Sequence, residues 1–117
     1  MSNVGTYKSN NKLILLVTND VFNTSFFSDS THIQFCHVSS PAKIFPSIYT
    51  LQPGTIIIDH EFLKDEVQNL VRRIRTNPFF YKLKICCLKD SFNRKTDEQL
   101  KVTGVDYMVY KNNMSAV

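Results

Sequence analysis

A three-layer α/β sandwich built on a parallel sheet is the fold class this sequence predicts, and three observations carry it. Apolar runs that stop abruptly at polar residues, "KLILLVTND" from Lys12 and "TIIID" from Thr55, read as strands buried on both faces. The segments between such runs carry helical signals, so the chain alternates as β-α-β-α-β-α-β-α-β. The 117 residues, 43% of them hydrophobic and 12% aromatic, suit a single domain with one modest core.

The elements follow in order. Residues 1–11 are polar and are expected to form a flexible N-terminal tail, leaving 12–117 as the folded domain. The first strand starts at Lys12. "VFNTSFFSDST" leaves room only for a short helix, with Phe22, Phe26 and Phe27 on one side, and "HIQFCHV" supplies the second strand. "SSPAKIFPSIYTLQPG" opens as a helix would, is restricted by Pro46, and ends in a turn at Pro53-Gly54. The third strand covers Thr55 to Ile58. The clearest helix comes next, because Leu63, Val67, Leu70, Val71 and Ile74 share one face of a 3.6-residue period; Asp65 and Glu66 open it and Pro78 stops it. "KLKICCLK" is a fourth strand, "NRKTDEQLKVTG" a weakly amphipathic helix capped by Gly104, and "DYMVYK" a fifth strand.

Composition excludes several classes. No window approaches the roughly 18 uninterrupted apolar residues of a membrane span, and "MSNVGTYKSNNK" lacks the apolar segment of a signal peptide, so a cytoplasmic protein is expected. Cys86 and Cys87 are neighbours on one strand and face opposite ways, so the three cysteines imply buried, reduced thiols and no disulfide framework. The net charge of +4 invites a search for a basic patch. Arg72, Arg73, Arg75, Lys82 and Lys84 form the densest cluster, but it has no interleaved exposed aromatics and arginines favour helix C-termini in any case. Direct nucleic-acid binding, by that cluster or by the domain as a whole, is not expected.

In an open α/β sheet the functional crevice lies beyond the carboxyl ends of the strands, where Asn19, Asp20, Asp59, Lys89 and Lys111 all fall. With those residues in view, the chain from its first strand to Lys111 resembles the receiver domain of bacterial response regulators. That family ends its first strand in an acidic pair that holds Mg²⁺, its third in a phosphoacceptor aspartate, its fourth in Ser or Thr and its fifth in Lys. Lys89 follows Asp59 by 30 residues, Lys111 follows Lys89 by 22 and Gly104 precedes Lys111 by 7, spacings that match the family pattern without gaps. "LVRRIR" falls in register with the family's third helix, and "GVDYMVYK" resembles its final "GADDYLVKP". The resemblance implies a CheY-like, flavodoxin-like sheet of order 2-1-3-4-5, with a short first helix and a reduced or missing fifth, and places Asp59 at the phosphoacceptor position.

The departures bear on function. Aligned on the family's "ILLVEDD", the two acids become Thr18 and Asn19, leaving Asp20 as the one carboxylate nearby, and the loss of charge weakens any Mg²⁺ site. Lys89 replaces the hydroxyl of the fourth strand, Met108 the aromatic of the fifth, and Leu63 and Val67 the Pro and Gly after the phosphoacceptor. The family's Lys-Pro becomes Lys111-Asn112. Phosphoryl transfer relies on the metal to neutralise charge, so a pseudo-receiver is expected: the fold kept, phosphorylation lost, and Asp59, Lys89 and Lys111 joined in an ion cluster. The chain would then be a phosphorylation-independent interaction module in two-component or transcriptional signalling, not an enzyme, with no cofactor. The alternative is a working phosphoacceptor, phosphorylated on Asp59 by a histidine kinase, using Mg²⁺ through Asp20 and Asp59.

The partner expected is a protein or a second copy of the chain. With short first and last helices, one sheet face looks under-covered, which offers Phe22, Phe26, Phe27, Met108 and Tyr110 as interface residues. His32, Cys36 and His37 do not share a strand face and fall short of a zinc site. His60 is expected in a loop with no nucleophile to serve, and Glu61 at the start of the following helix.

Overall fold

The structure, a computed structural model, describes residues 6–19 and 32–111. Among these residues five strands form one sheet: β1 (Asn10–Val17), β2 (Gln34–Val38), β3 (Pro53–Asp59), β4 (Lys84–Lys89) and β5 (Tyr107–Tyr110). All neighbours pair in parallel, in the order β2-β1-β3-β4-β5 that the resemblance implies. The helices are α1 (Ile44–Leu51), α2 (His60–Leu63), α3 (Glu66–Arg75) and α4 (Arg94–Thr103). Short 3₁₀ turns at Pro41–Lys43 and Pro78–Phe80 lead into α1 and β4.

The pleat sorts the strand residues onto two faces. Leu15, Ile56 and Ile85 stand side by side on one face, with Val17, Ile58 and Cys87 one pleat further on, and all are buried. They pack with Ile44 and Ile48 of α1, Val67, Val71 and Ile74 of α3 and Leu100 of α4 in the main core. Leu16, Ile57, Cys86 and Leu88 form a smaller buried cluster on the opposite face. Cys86 and Cys87 do point to opposite faces, as free thiols. A ten-residue helix is marginal alone, but α3 buries Val67, Leu70, Val71 and Ile74. At about 1.5–3 kcal/mol for each such side chain, packing decides in favour of the helix. The segments 20–31 and 112–117 lie outside the described residues. With them lie Asp20, Phe22, Phe26, Phe27, the expected short first helix, the reduced fifth helix and the coverage of the second sheet face.

Four local expectations are corrected. Pro53-Gly54 is the start of β3, not a turn; the chain reverses one residue earlier, at Gln52, which caps α1 with φ 48°. Gly54 is needed there because β1 passes so close that a Cβ would meet the Asn10 carbonyl oxygen at 2.8 Å and the Asn11 Cα at 2.9 Å. The single helix expected from Leu63 to Ile74 is two: Lys64, at φ 51°, separates α2 from α3, while Leu63 still packs on the main core. His60 accordingly opens a helical turn and does not sit in a loop. Residues 6–11 are not loose. β1 begins at Asn10, and Tyr7 is buried, donating its hydroxyl proton to the Pro53 carbonyl at 2.6 Å. Its ring meets Phe79 and Phe80 edge-on, with centroids 5.3 and 6.1 Å away. A period-2 count through a polar segment cannot anticipate such an anchor.

Candidate functional site

Because all five strands run the same way, their carboxyl ends converge on one edge. Asp59 closes β3 there, buried to 1% exposure. Its backbone is still extended and its side chain caps α2, with Oδ1 accepting the Glu61 N–H at 3.0 Å. The buried Thr18 hydroxyl, just past β1, donates to Oδ2 at 2.6 Å. Lys111, following β5, sets its ammonium 3.1 Å from Oδ1 and 3.4 Å from Asp90. Burial works against the Lys111 charge, but the hydrogen bond and field of Asp59, aided by Asp90, raise its pKa. Thr18 is fixed in turn: its N–H donates to the Val38 carbonyl at 3.1 Å, and its own carbonyl lies 2.6 Å from His37 Nε2. Asn19 is exposed.

Lys89 does not join Asp59. Two residues on from Cys87, it points to the main-core face, whereas Asp59 continues the side of Ile57. Across the ladder Lys89 stands beside Tyr110, and α4 presents Asp97 to both. The Lys89 ammonium contacts Asp97 Oδ1 and the Tyr110 hydroxyl donates to Oδ2. Lys89 is 5% and Asp97 3% exposed, so the pair is an interior one. Burial alone would raise the Asp97 carboxyl pKa, but the Lys89 and Tyr110 hydrogen bonds win and hold it below its usual range. The same bond pushes Tyr110 up to about 12, with burial adding to it. Asp97 sits in the first turn of α4, whose N-cap Asn93 accepts the Thr96 N–H at 3.0 Å. Asp97 and Asp90 were not anticipated from sequence; the cap at Asn93 and the alternation of "KICCLK" were the signals that could have paired Lys89 with Asp97.

The other candidates separate. Met108 is half-buried against the main core, and Tyr110 is half-buried on Asp97. No group of three or more His, Cys, Asp or Glu side chains gathers among the described residues, His32, Cys36 and His37 included. The basic run also divides: Arg73 stacks on Phe45, 4.3 Å from its ring centre, Arg75 bonds backbone carbonyls, and Lys82 and Lys84 lie elsewhere.

These burials give a pH expectation. Burial lifts the Cys86 thiol from 9.0 to about 11 and the Cys87 thiol to about 12. A pKa raised on folding contributes stability that is complete below the unfolded value and is lost as pH rises through the folded one. With Tyr110 and Lys111 shifted the same way, the urea midpoint falls steadily over roughly pH 9–12. A flat midpoint across that window would show that the thiols ionise equally in both states.

No protein-family model matches the chain, and no curated protein matches it in sequence. Solved structures do share its fold. The signal receiver domain of the DNA-binding response regulator protein (merR) from Colwellia psychrerythraea 34H is similar at a TM-score of 0.77, with 13% identity over 87% of each chain. The phosphorylated cyanobacterial phytochrome response regulator RcpA gives 0.74 at 18% identity, over 91% of this chain and 85% of its own. The Vibrio cholerae chemotaxis protein CheY4 gives 0.73 at 12% identity, over 87% of this chain and 88% of its own. The fold is thus the five-stranded, CheY-like one of response-regulator receiver domains.

Proposed function

We propose that this chain is an atypical receiver domain that acts as a protein-interaction module in two-component or transcriptional signalling, without being phosphorylated and without catalysis of its own. The observation that carries this reading is that Asp59 is already held from three sides, by the Thr18 hydroxyl, the Glu61 N–H and the Lys111 ammonium. These three donors draw charge from the carboxylate and so weaken it as a nucleophile toward a phosphodonor. The position where the family offers a hydroxyl carries Lys89, committed to Asp97.

The described residues do not fit the family's Mg²⁺. Thr18 and Asn19 offer neutral oxygens where the family has two acids, and both Asp59 oxygens already accept hydrogen bonds. An ion that demands octahedral oxygen ligation, largely from carboxylates and water, finds a poor donor set among the described residues. A cytoplasmic location accompanies this reading; no described helix is long and apolar enough to cross a membrane. The partner would be another protein or a second copy, with Met108 and Tyr110 at the β5 edge as candidate contacts.

One observation favours the second reading, a phosphoacceptor at Asp59: the Asp59–Lys111 pair sits at the carboxyl edge, where that chemistry takes place in the family. Incubation with Mg²⁺ and acetyl phosphate, followed by intact-mass measurement, separates the two. The unmodified mass is expected; a phosphoryl adduct absent from Asp59→Asn would establish the phosphoacceptor instead.

A further inference from the structure

At the opposite end of the sheet, the strands begin beside a cleft of about 690 Å³ that no part of the preceding reading uses. Two segments far apart in sequence build it: residues 6–11, anchored by Tyr7, and the stretch from Tyr81 to Lys84 that leads into β4. Its charged lining is Lys8, Lys82 and Lys84, all exposed, and no carboxylate among the described residues lines it. The chain carries a net charge of +4, so three lysines gathered with no counter-charge among the described lining residues are a large share of its excess. Ser9 and Asn11 add neutral hydrogen-bonding groups along the wall.

Tyr81 borders this cleft with 74% of its surface exposed, and Lys82 lies 5.7 Å from its ring centre. A largely exposed ring beside unopposed ammonium groups is what an aromatic stacking platform along a phosphate-binding groove requires. Phosphate oxygens accept from Lys, Ser and Asn donors of the kind found here, and a base can lie on the ring. The arginine-rich groove between α3 and α4 is different, since Glu98 lines it and pairs with Arg94 at 3.3 Å.

We infer that this amino-edge cleft binds single-stranded nucleic acid, with Lys8, Lys82 and Lys84 on phosphates and Tyr81 stacked on a base. The site is remote from Asp59 and does not depend on whether that residue is ever phosphorylated. The cluster read from sequence lacked this character because it joined Lys82 and Lys84 to the arginines of α3 and left out Lys8 and Tyr81.

Fluorescence anisotropy of a labelled oligothymidylate with the whole protein tests it. Binding is expected at low ionic strength, weakening with a log–log salt slope of about −2, as three phosphate contacts on a single strand predict. Lys82→Glu with Lys84→Glu abolishes it, and Lys8→Glu, on the other segment, repeats the loss should the double variant fold poorly. Tyr81→Ala weakens binding roughly fivefold or more, whereas Arg94→Glu leaves it unchanged. Absence of binding at low salt, indifference to Tyr81→Ala, or an equal loss in Arg94→Glu would overturn the proposal. So would displacement of the oligonucleotide by hexaglutamate at equal charge concentration, which would make the cleft a site for acidic protein segments.

Discussion

Asp97→Ala lowers the stability of the fold by about 3–5 kcal/mol, because it strands the Lys89 ammonium in the interior without its counter-charge. The Tyr110 hydroxyl loses its acceptor at the same time. Thermal unfolding reads the effect as a fall in midpoint on the order of 10–20 °C. The cost belongs to the broken pair and not to any large net benefit of having one. Lys89→Met combined with Asp97→Leu, which removes both charges and fills the space with apolar atoms, therefore recovers most of the stability or exceeds that of the parent. A double variant no more stable than Asp97→Ala would refute this account. Acid supplies an independent reading. A carboxyl whose pKa is depressed on folding contributes stability above its unfolded pKa of about 3.9, and that contribution is lost as pH falls through the lower folded value. Asp97→Asn should therefore flatten the acid limb of the stability profile.

Arg75→Ala costs about 2–3 kcal/mol, a figure set by three hydrogen bonds from one guanidinium. Nε donates to the Gly104 carbonyl and Nη1 to the Leu83 carbonyl, both at 2.9 Å, while Nη2 reaches Asp106 Oδ2 at 2.6 Å. The same Asp106 oxygen accepts the Ile85 N–H at 2.9 Å, so the arginine ties the end of α3 to the start of β4 and the approach to β5. The ionic part is discounted, since Asp106 is about a third exposed; the two carbonyls carry the effect. Arg75→Lys recovers only a minor part, because an ammonium cannot reproduce a planar fork with three acceptors. Gly104 takes part by default: a Cβ there would lie 2.4 Å from Arg75 Cγ, and its φ of 135° is open to glycine. Urea unfolding of both variants checks the ranking, and full recovery by lysine would mean that charge alone matters.

What could be read from sequence was what depends on short periods. Continuous apolar runs marked β1, β3 and β4, and the period of Val67, Leu70, Val71 and Ile74 marked α3, because burial imposes those patterns directly. The placement of Asp59, Lys89 and Lys111 at one edge followed from strand ends and spacing. The partner of Lys89 did not, although counting from Cys87 in steps of two would have turned it toward α4 and away from Asp59. Proximity along an edge was mistaken for a shared face. Tyr7, Arg75 and the split at Lys64 were illegible for a different reason. Each depends on a contact between distant segments or on a single backbone dihedral, and neither leaves a periodic trace.

The Tyr7 anchor also sets an order of events during synthesis. The ribosome releases Tyr7 well before its partners, since the carbonyl it binds belongs to Pro53 and its ring partners are Phe79 and Phe80. β1, an interior strand, likewise waits for β3 to pair along its second edge. The Tyr7 segment therefore leaves the exit tunnel with nothing to hold, and settles only after Phe80 has followed it out. A segment made early is held in place by residues made much later.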